Sequence, residues 1–307
     1  MLKGTALAET LISIVIPAYN YANTLPRAVE SVLAQLDSTA ADLLIIDDGS
    51  TDNTPQVVDK LLSDHPGRFR ALRKTNGGLS SVRNCGIEET SGRYLIFLDA
   101  DDEMAPGALA ALTQHIASNP QSRMVIGGYW SVFADGKRSL HAVRPLPETA
   151  RQRVQGYLLY KTISVSNGAC AMHRDVFAAG NYPEHLRNVE DIPVFAQVFA
   201  RYPCSVLNQP LALIHKHDDS MRNDLTQSLA AGTEMINDVF SIQRMPEDLH
   251  DLRQAFLAQR YLSLFRDCYS RREYKLARKF YFQALRSDWR TFARWSYTRK
   301  ALRLLFR

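Results

Sequence analysis

Apolar and largely β-branched residues run through ISIVI at residues 12–16, a pattern that predicts a strand buried on both faces. Leu25, Val29, Val32 and Leu33 then recur at helical spacing within NTLPRAVESVLAQ, with Asn23 or Thr24 placed to cap that helix. The plan repeats. ADLLIIDDGSTDNT is an apolar run closed by acids and turn residues, and PQVVDKLLSDH is helical. RFRALRK predicts a third strand, NGGLSSVRNCGIEETSG a helix entered through a glycine turn, and RYLIFLDADD a fourth strand. Strand and helix alternating over a hundred residues predict an α/β fold, a mostly parallel Rossmann-like sheet flanked by helices.

Periodicity loosens after residue 120. RMVIGGYWSVFADGKR predicts two strands around Ala134-Asp135-Gly136, and ISVSNGACAMHRDVF predicts a strand and a short helix. NYPEHLRNVEDIPVFAQVFARY holds a loop and then a helix whose entrance carries Glu190 and Asp191. From about residue 228 the pattern is helical throughout, with AFLAQRYLSLFRDCY and YKLARKFYFQAL as a helical pair. The expected organisation is one domain over residues 1–225 and a basic helical region over 226–307.

Composition narrows the class. The 307 residues are 46% hydrophobic and 22% charged, ordinary for a packed soluble protein. Cys85, Cys170, Cys204 and Cys268 form no CxxC pair, which argues against a zinc site or disulfide framework and suits a reducing cytoplasm. The apolar LISIVIP run is too short to span a bilayer and lacks a signal-peptide cleavage pattern. Residues 271–307 hold twelve Lys or Arg against Glu273 and Asp288, a local balance of +10 in a chain whose net charge is only +5.

The candidate chemistry sits where strands end. Ligands of such sheets bind at the carboxyl ends of the strands, and those ends here are Tyr19-Asn20, Asp47-Asp48-Gly49-Ser50, Asn76-Gly77-Gly78 and Asp99-Ala100-Asp101-Asp102. Three carboxylates within four positions repel one another. They read either as a helix N-cap cluster or as a hard-oxygen site for Mg²⁺ or Mn²⁺ beside a phosphate. Neither GxGxxG nor GxxxxGK[ST] occurs, which counts against a dinucleotide enzyme or a P-loop kinase.

VIPAYN, SVLAQ, LLIIDDGSTDNT, NGGLSSVRNCGIEETSGRYLIFLDADD and VEDIPVF occur in that order over roughly residues 11–220, and together they resemble the inverting family-two glycosyltransferases with the GT-A fold, of the bacterial cell-surface glycan type. The resemblance implies that Pro17, Tyr19 and Asn20 border the nucleotide base and that Asp48 contacts base and ribose. It implies that Asn76 and Arg83 help to close the donor pocket, that Asp99 faces ribose or sugar, and that Asp101 holds the metal bridging the diphosphate. Asp191 falls at the position of the catalytic base, with Glu190 as its alternative, and His217 falls at that of a late histidine near the metal.

The implied donor is a UDP- or dTDP-linked sugar, and a single sugar is expected to pass to a glycan or lipid-linked acceptor, as in lipopolysaccharide synthesis. Basic residues interleaved with Tyr274, Phe280, Trp289, Phe292 and Trp295 suit an anionic membrane surface, so the expected place is the inner face of the cytoplasmic membrane. No nucleic-acid fold accompanies that composition. A nucleotidyltransferase would show a glycine-rich basic loop after the first strand, and PAYNYANT is none. A non-catalytic sugar- or membrane-binding scaffold would have lost Asp48, Asp101 or Asp191, and all three are present.

Overall fold

The computed structural model describes residues 10–37, 39–216 and 233–304. They form two compact units. The first takes residues up to Leu146, Ser164–Glu184 and the stretch from Tyr202; the second takes Pro147–Ile163, His185–Arg201 and the C-terminal residues.

The first unit is built on one sheet. Its strands are β1 (Ile12–Ala18), β2 (Ala41–Asp47), β3 (Arg70–Arg73), β4 (Tyr94–Phe97), β5 (Glu103–Met104), β6 (Met124–Val132), β7 (Arg138–His141), β8 (Cys170–His173) and β9 (Cys204–His215). They lie in the order β3-β2-β1-β4-β8-β6-β9-β5, with β7 on β6. The first four are mutually parallel. The helices α1 (Leu25–Leu36), α2 (Thr54–Asp64) and α3 (Leu79–Glu89) connect them, and α4 (Ala108–Ser118) follows β5. β8 then pairs antiparallel with β4 and with β6, and this is where the alternating pattern of the sequence gave out.

Packing explains the elements. All seven residues of β1 are buried, and Ile12, Ile14 and Ile16 reach zero exposure. Each such side chain contributes about 1.5–3 kcal/mol by leaving water. Leu25, Val29, Val32 and Leu33 of α1 are buried with them, as their spacing predicts. Thr24 is the residue before α1, but its hydroxyl makes no capping bond. Pro17 is tolerated within a central strand because β4 pairs β1 only as far as Val15, so no ladder partner needs the missing N–H on that side.

The second unit is helical. It holds α5 (Ala150–Gln155) continuing into a π-helical turn (Gly156–Tyr160), then α6 (Asp191–Arg201), α7 (Met235–Val239), α8 (Leu252–Ser270), α9 (Tyr274–Ser287) and α10 (Trp295–Arg303). Leu262, Phe265 and Cys268 of α8 pack with Ala277, Tyr281 and Ala284 of α9 and Ala301 of α10. The helical pair predicted from the sequence is therefore present. Residue 225, the expected domain boundary, falls outside the described residues.

Candidate active site

Because β1, β2 and β3 are parallel and in register, their carboxyl ends share one edge: Ala18 faces Asp47, and Asp47 faces Arg73. The segments after them bind one another. Asn20 adopts a left-handed backbone (φ 61°), which asparagine tolerates better than most residues. Its side-chain oxygen accepts from the backbone N–H of Thr51 at 2.8 Å, and its own N–H donates to the Ser50 hydroxyl at 3.0 Å. Tyr19 beside it is exposed, while Pro17 is buried in the strand.

The two acids of the DDGS turn divide the work. Asp47 accepts from the Ser50 N–H at 2.9 Å and pairs with Arg73 at 3.2 Å. Asp48, 2% exposed, reaches the glycine turn after β3: it accepts from Gly77 N at 3.0 Å, Gly78 N at 2.8 Å and Lys74 Nζ at 2.8 Å. Those three donors leave room for about one more at a carboxylate with roughly four acceptor positions. Gly78 holds φ 85° and ψ 170°, a region only glycine occupies freely, and it starts α3. Asn76 lies exposed in the same turn.

The acids after β4 are not helix caps. The next helix, α4, starts at Ala108 behind Gly107, and no side chain caps it. Instead the chain turns tightly, with the Asp102 N–H donating to the Asp99 carbonyl at 3.0 Å. Asp99 pairs at 3.3 Å with Arg83, a buried guanidinium of α3 whose outer carbon stands 5.2 Å from the centre of the Tyr182 ring. Asp102 is buried and accepts from the His215 N–H at 2.9 Å. Burial first, and then the charges of Asp99 and Asp101, push the Asp102 carboxyl up to about 8, against the pull of the His215 N–H and Lys216. Arg27 of α1 donates to the Asp101 carbonyl at 2.6 Å.

Crowded hard-oxygen donors are what a divalent cation such as Mg²⁺ or Mn²⁺ takes, and its charge relieves their repulsion. The donor chemistry of Asp99 and Asp101 therefore fits such an ion. Among the described residues no three His, Cys, Asp or Glu side chains are disposed to hold a metal by themselves, so an ion there would take further oxygens from elsewhere.

Several neighbours escaped the sequence reading. The Tyr21 phenol is held well above its ordinary range by burial first and then by the charges of Asp101, Asp99 and Asp102. His215, at the end of β9, sets its Nε2 2.7 Å from Glu103, while Glu103 lies 3.4 Å from Arg27 Nε. His217, the histidine expected near the metal, lies outside the described residues. The only sequence signal for His215 was a histidine ending an apolar run, and only the pairing of β9 with β5 gives it these partners.

Asp191 belongs to the second unit, where it is the first residue of α6; Glu190 just before it is buried. The same helix presents Phe195 and Phe199 to Tyr157 of the π-helical turn, with ring centres 6.1 and 5.4 Å apart. Lys161 directly follows that turn. Although the residue as a whole is exposed, burial around its ammonium and then the charge of Arg260 hold its pKa down to about 8, with Asp191 pulling the other way.

Known proteins align with this arrangement. The Pasteurella multocida chondroitin synthase is 38% identical over 144 residues, covering 41% of this chain and 14% of that protein, so the chain spans only a small part of that relative. Among solved structures, Staphylococcus aureus TarS in complex with UDP-GlcNAc superposes with a TM-score of 0.65 at 17% identity, over 96% of this chain and 89% of that one. A Pyrobaculum calidifontis mannosyltransferase in complex with GDP-Man and Mn²⁺ gives 0.56 at 15% identity, over 90% and 73%. These two likenesses establish the GT-A fold, with its C-terminal helical region. The description Glycosyl transferase family 2 matches residues 13–180, more than half of the chain and the segments that follow β1, β2, β3 and β4, and the chain belongs to that family.

Proposed function

We propose that this protein transfers a single sugar from a nucleoside-diphosphate sugar to an acceptor hydroxyl, with inversion at the anomeric carbon. The observation that carries the reading is the convergence on one sheet edge of the Asp48-bound glycine turn and the Asp99–Asp102 acids. TarS bound to UDP-GlcNAc and the mannosyltransferase bound to GDP-Man support a nucleotide-sugar donor.

In this reading Asp48, Asn20, Tyr19, Pro17 and Asn76 surround base and ribose, and Arg83 fixes Asp99 against the ribose or sugar. Asp101, with Asp99, would hold Mg²⁺ or Mn²⁺, and a cation there would offset the charge that collects on the departing diphosphate. Asp191 takes the proton of the attacking hydroxyl, which raises its nucleophilicity as the anomeric bond breaks. One base suffices, because the leaving diphosphate needs no proton from the protein.

The test is a screen of UDP-, dTDP- and GDP-linked sugars for slow cation-dependent donor hydrolysis, wild type against Asp101→Asn. Hydrolysis of one donor, stopped by chelator and by Asp101→Asn, is expected. Hydrolysis unchanged in Asp101→Asn removes the assignment of the metal to Asp101.

The acceptor is proposed to be glycan or lipid-linked, reached at the inner face of the cytoplasmic membrane. Among the described residues no helix is long and apolar enough to cross a membrane. Yet Trp289, Phe292 and Trp295 are 76%, 59% and 62% exposed, on a stretch that also carries Arg290, Arg294 and Arg299. Exposed indole and phenyl groups among arginines match the headgroup layer of an anionic leaflet.

A further inference from the structure

One face of α1 carries a row of polar side chains at intervals of four, Arg27, Ser31 and Gln35, and each binds the backbone of the segment after β4. Arg27 Nη2 donates to the Asp101 carbonyl at 2.6 Å. The Ser31 hydroxyl accepts from the Met104 N–H at 2.9 Å. The Gln35 amide donates to the Ala105 carbonyl at 3.1 Å. Residues four apart on a helix lie on one side of it, so α1 holds the chain from Asp101 to Ala105 along its length. Only the first of these bonds falls on an acid of the candidate metal site.

Strand β9 holds the same segment through other atoms. The Asp102 carboxylate accepts from the His215 N–H at 2.9 Å, and Glu103 and Met104 pair with Leu213 and Ala212. The two supports meet at Glu103, whose Oε1 lies 3.4 Å from Arg27 Nε and 2.7 Å from His215 Nε2. A fixed carbonyl fixes its peptide plane, and with it the direction in which the Asp101 side chain leaves the backbone. Asp99 and Asp101 repel one another, and ordering them only when an ion arrives costs affinity. An arginine alone beside these acids would also compete with a cation for them. Glu103 offsets that charge and leaves the bond to the Asp101 carbonyl in place.

We infer that Arg27 is a positioning residue for cation binding: paired with Glu103, it holds the Asp101 backbone so that the carboxylate is set before a divalent ion arrives. This rests on the reading of Asp101 as the carboxylate that takes the metal. The Arg27 side chain is 40% exposed, and exposed ion pairs contribute little to stability. Its effect therefore belongs in metal affinity and in the order of the acidic turn, not in the melting temperature.

The experiment titrates Mn²⁺ into the full chain with saturating UDP, dTDP or GDP and follows the free ion by electron paramagnetic resonance. The proteins are wild type, Arg27→Gln, Arg27→Lys, Glu103→Gln and the double variant Arg27→Gln/Glu103→Gln. Loss of one charge-assisted bond is expected to weaken Mn²⁺ binding about tenfold in Arg27→Gln, with metal-free nucleotide affinity and melting temperature unchanged. Arg27→Lys should fall between, because an ammonium keeps the charge and lacks the fork that makes both bonds. Glu103→Gln should also weaken binding, and the double variant should be no worse than Arg27→Gln, since two residues acting through one bond are not additive. Hydrogen exchange without metal or nucleotide should quicken over residues 99–105 in Arg27→Gln and stay unchanged over 12–18. Mn²⁺ affinity equal to wild type in Arg27→Gln, or unchanged exchange over 99–105, overturns the inference while leaving the metal reading intact. A loss of affinity that tracks a fall in melting temperature reduces Arg27 to a stabilising residue and overturns it too. Absence of Mn²⁺ binding to wild type with all three nucleotides removes the metal reading itself, and the inference with it.

Discussion

Single carboxylates carry the proposed chemistry, and their surroundings separate their roles. Asp48 is buried and held by two backbone N–H groups and Lys74, an arrangement that fixes its position and suits it to placing a ligand. Asp191 opens the helix α6 in the second unit, and its proposed role is that of the base. Asp191→Asn keeps shape and removes basicity. Donor affinity is expected to persist while turnover falls by about 10²-fold or more. Steady-state kinetics alongside nucleotide binding checks this, and the same loss seen in Glu190→Gln but not in Asp191→Asn transfers the base role to Glu190. Neighbours such as Tyr21 and His215 carried no signal of their own in the sequence, since a tyrosine in a turn and a histidine closing a strand occur everywhere. Their partners come from residues 80 and 112 positions away.

At the scale of elements, the glycine turn between β3 and α3 is the joint on which the nucleotide side depends. Asp48 binds both of its glycine N–H groups, and Gly78 sits at φ 85°, ψ 170°, where a Cβ is disfavoured. Gly78→Ala should therefore cost about 1–3 kcal/mol of stability. Denaturant unfolding of the variant is the measurement, and nucleotide binding should weaken with it because the Asp48 carboxylate loses its frame. A stability within about 0.3 kcal/mol of wild type would mean that the turn relaxes at no cost, since surface changes away from such features stay within about 0.5 kcal/mol. The parallel elements were legible because each shows its own period: continuous apolar runs in β1 and β2, and helical spacing in α1. The hairpin of β6 and β7 was legible from its turn at Ala134-Asp135-Gly136, but the two-residue β5 was harder, because it exists as a strand only through its pairing with Leu213 and Ala212 of β9.

At the scale of the molecule, the basic C-terminal stretch is proposed to bring the enzyme to its acceptor. Its inward side chains, Tyr281, Ala284, Ala301 and Leu304, form a core with α8, so truncation would damage the fold along with the surface. Replacing the exposed Trp289, Phe292 and Trp295 together by serine avoids that. Sedimentation with vesicles containing anionic lipid is expected to fall at least severalfold, while nucleotide binding stays unchanged. High salt should imitate only part of the loss, because it screens the arginines and leaves aromatic insertion intact. Equal sedimentation of both proteins with neutral and anionic vesicles would reduce the stretch to a solvated helical face.

Local pattern determined the α/β alternation, the buried strands, the helical C-terminal pair and the order of the motifs that mark the family, because periodicity and strand-end chemistry are written within short stretches. The tertiary structure decided what depends on distant pairing. It showed that Asp99, Asp101 and Asp102 do not cap a helix, since α4 starts only at Ala108 behind Gly107. It separated Asp47 from Asp48, adjacent in sequence, by giving them partners on different segments. It also brought Tyr157 of the π-helical turn against Phe195 and Phe199 of α6, about forty positions away in sequence, as one cluster of rings. No sequence period reports such a cluster, because contacts between elements depend on packing, and packing is decided only when the whole unit closes.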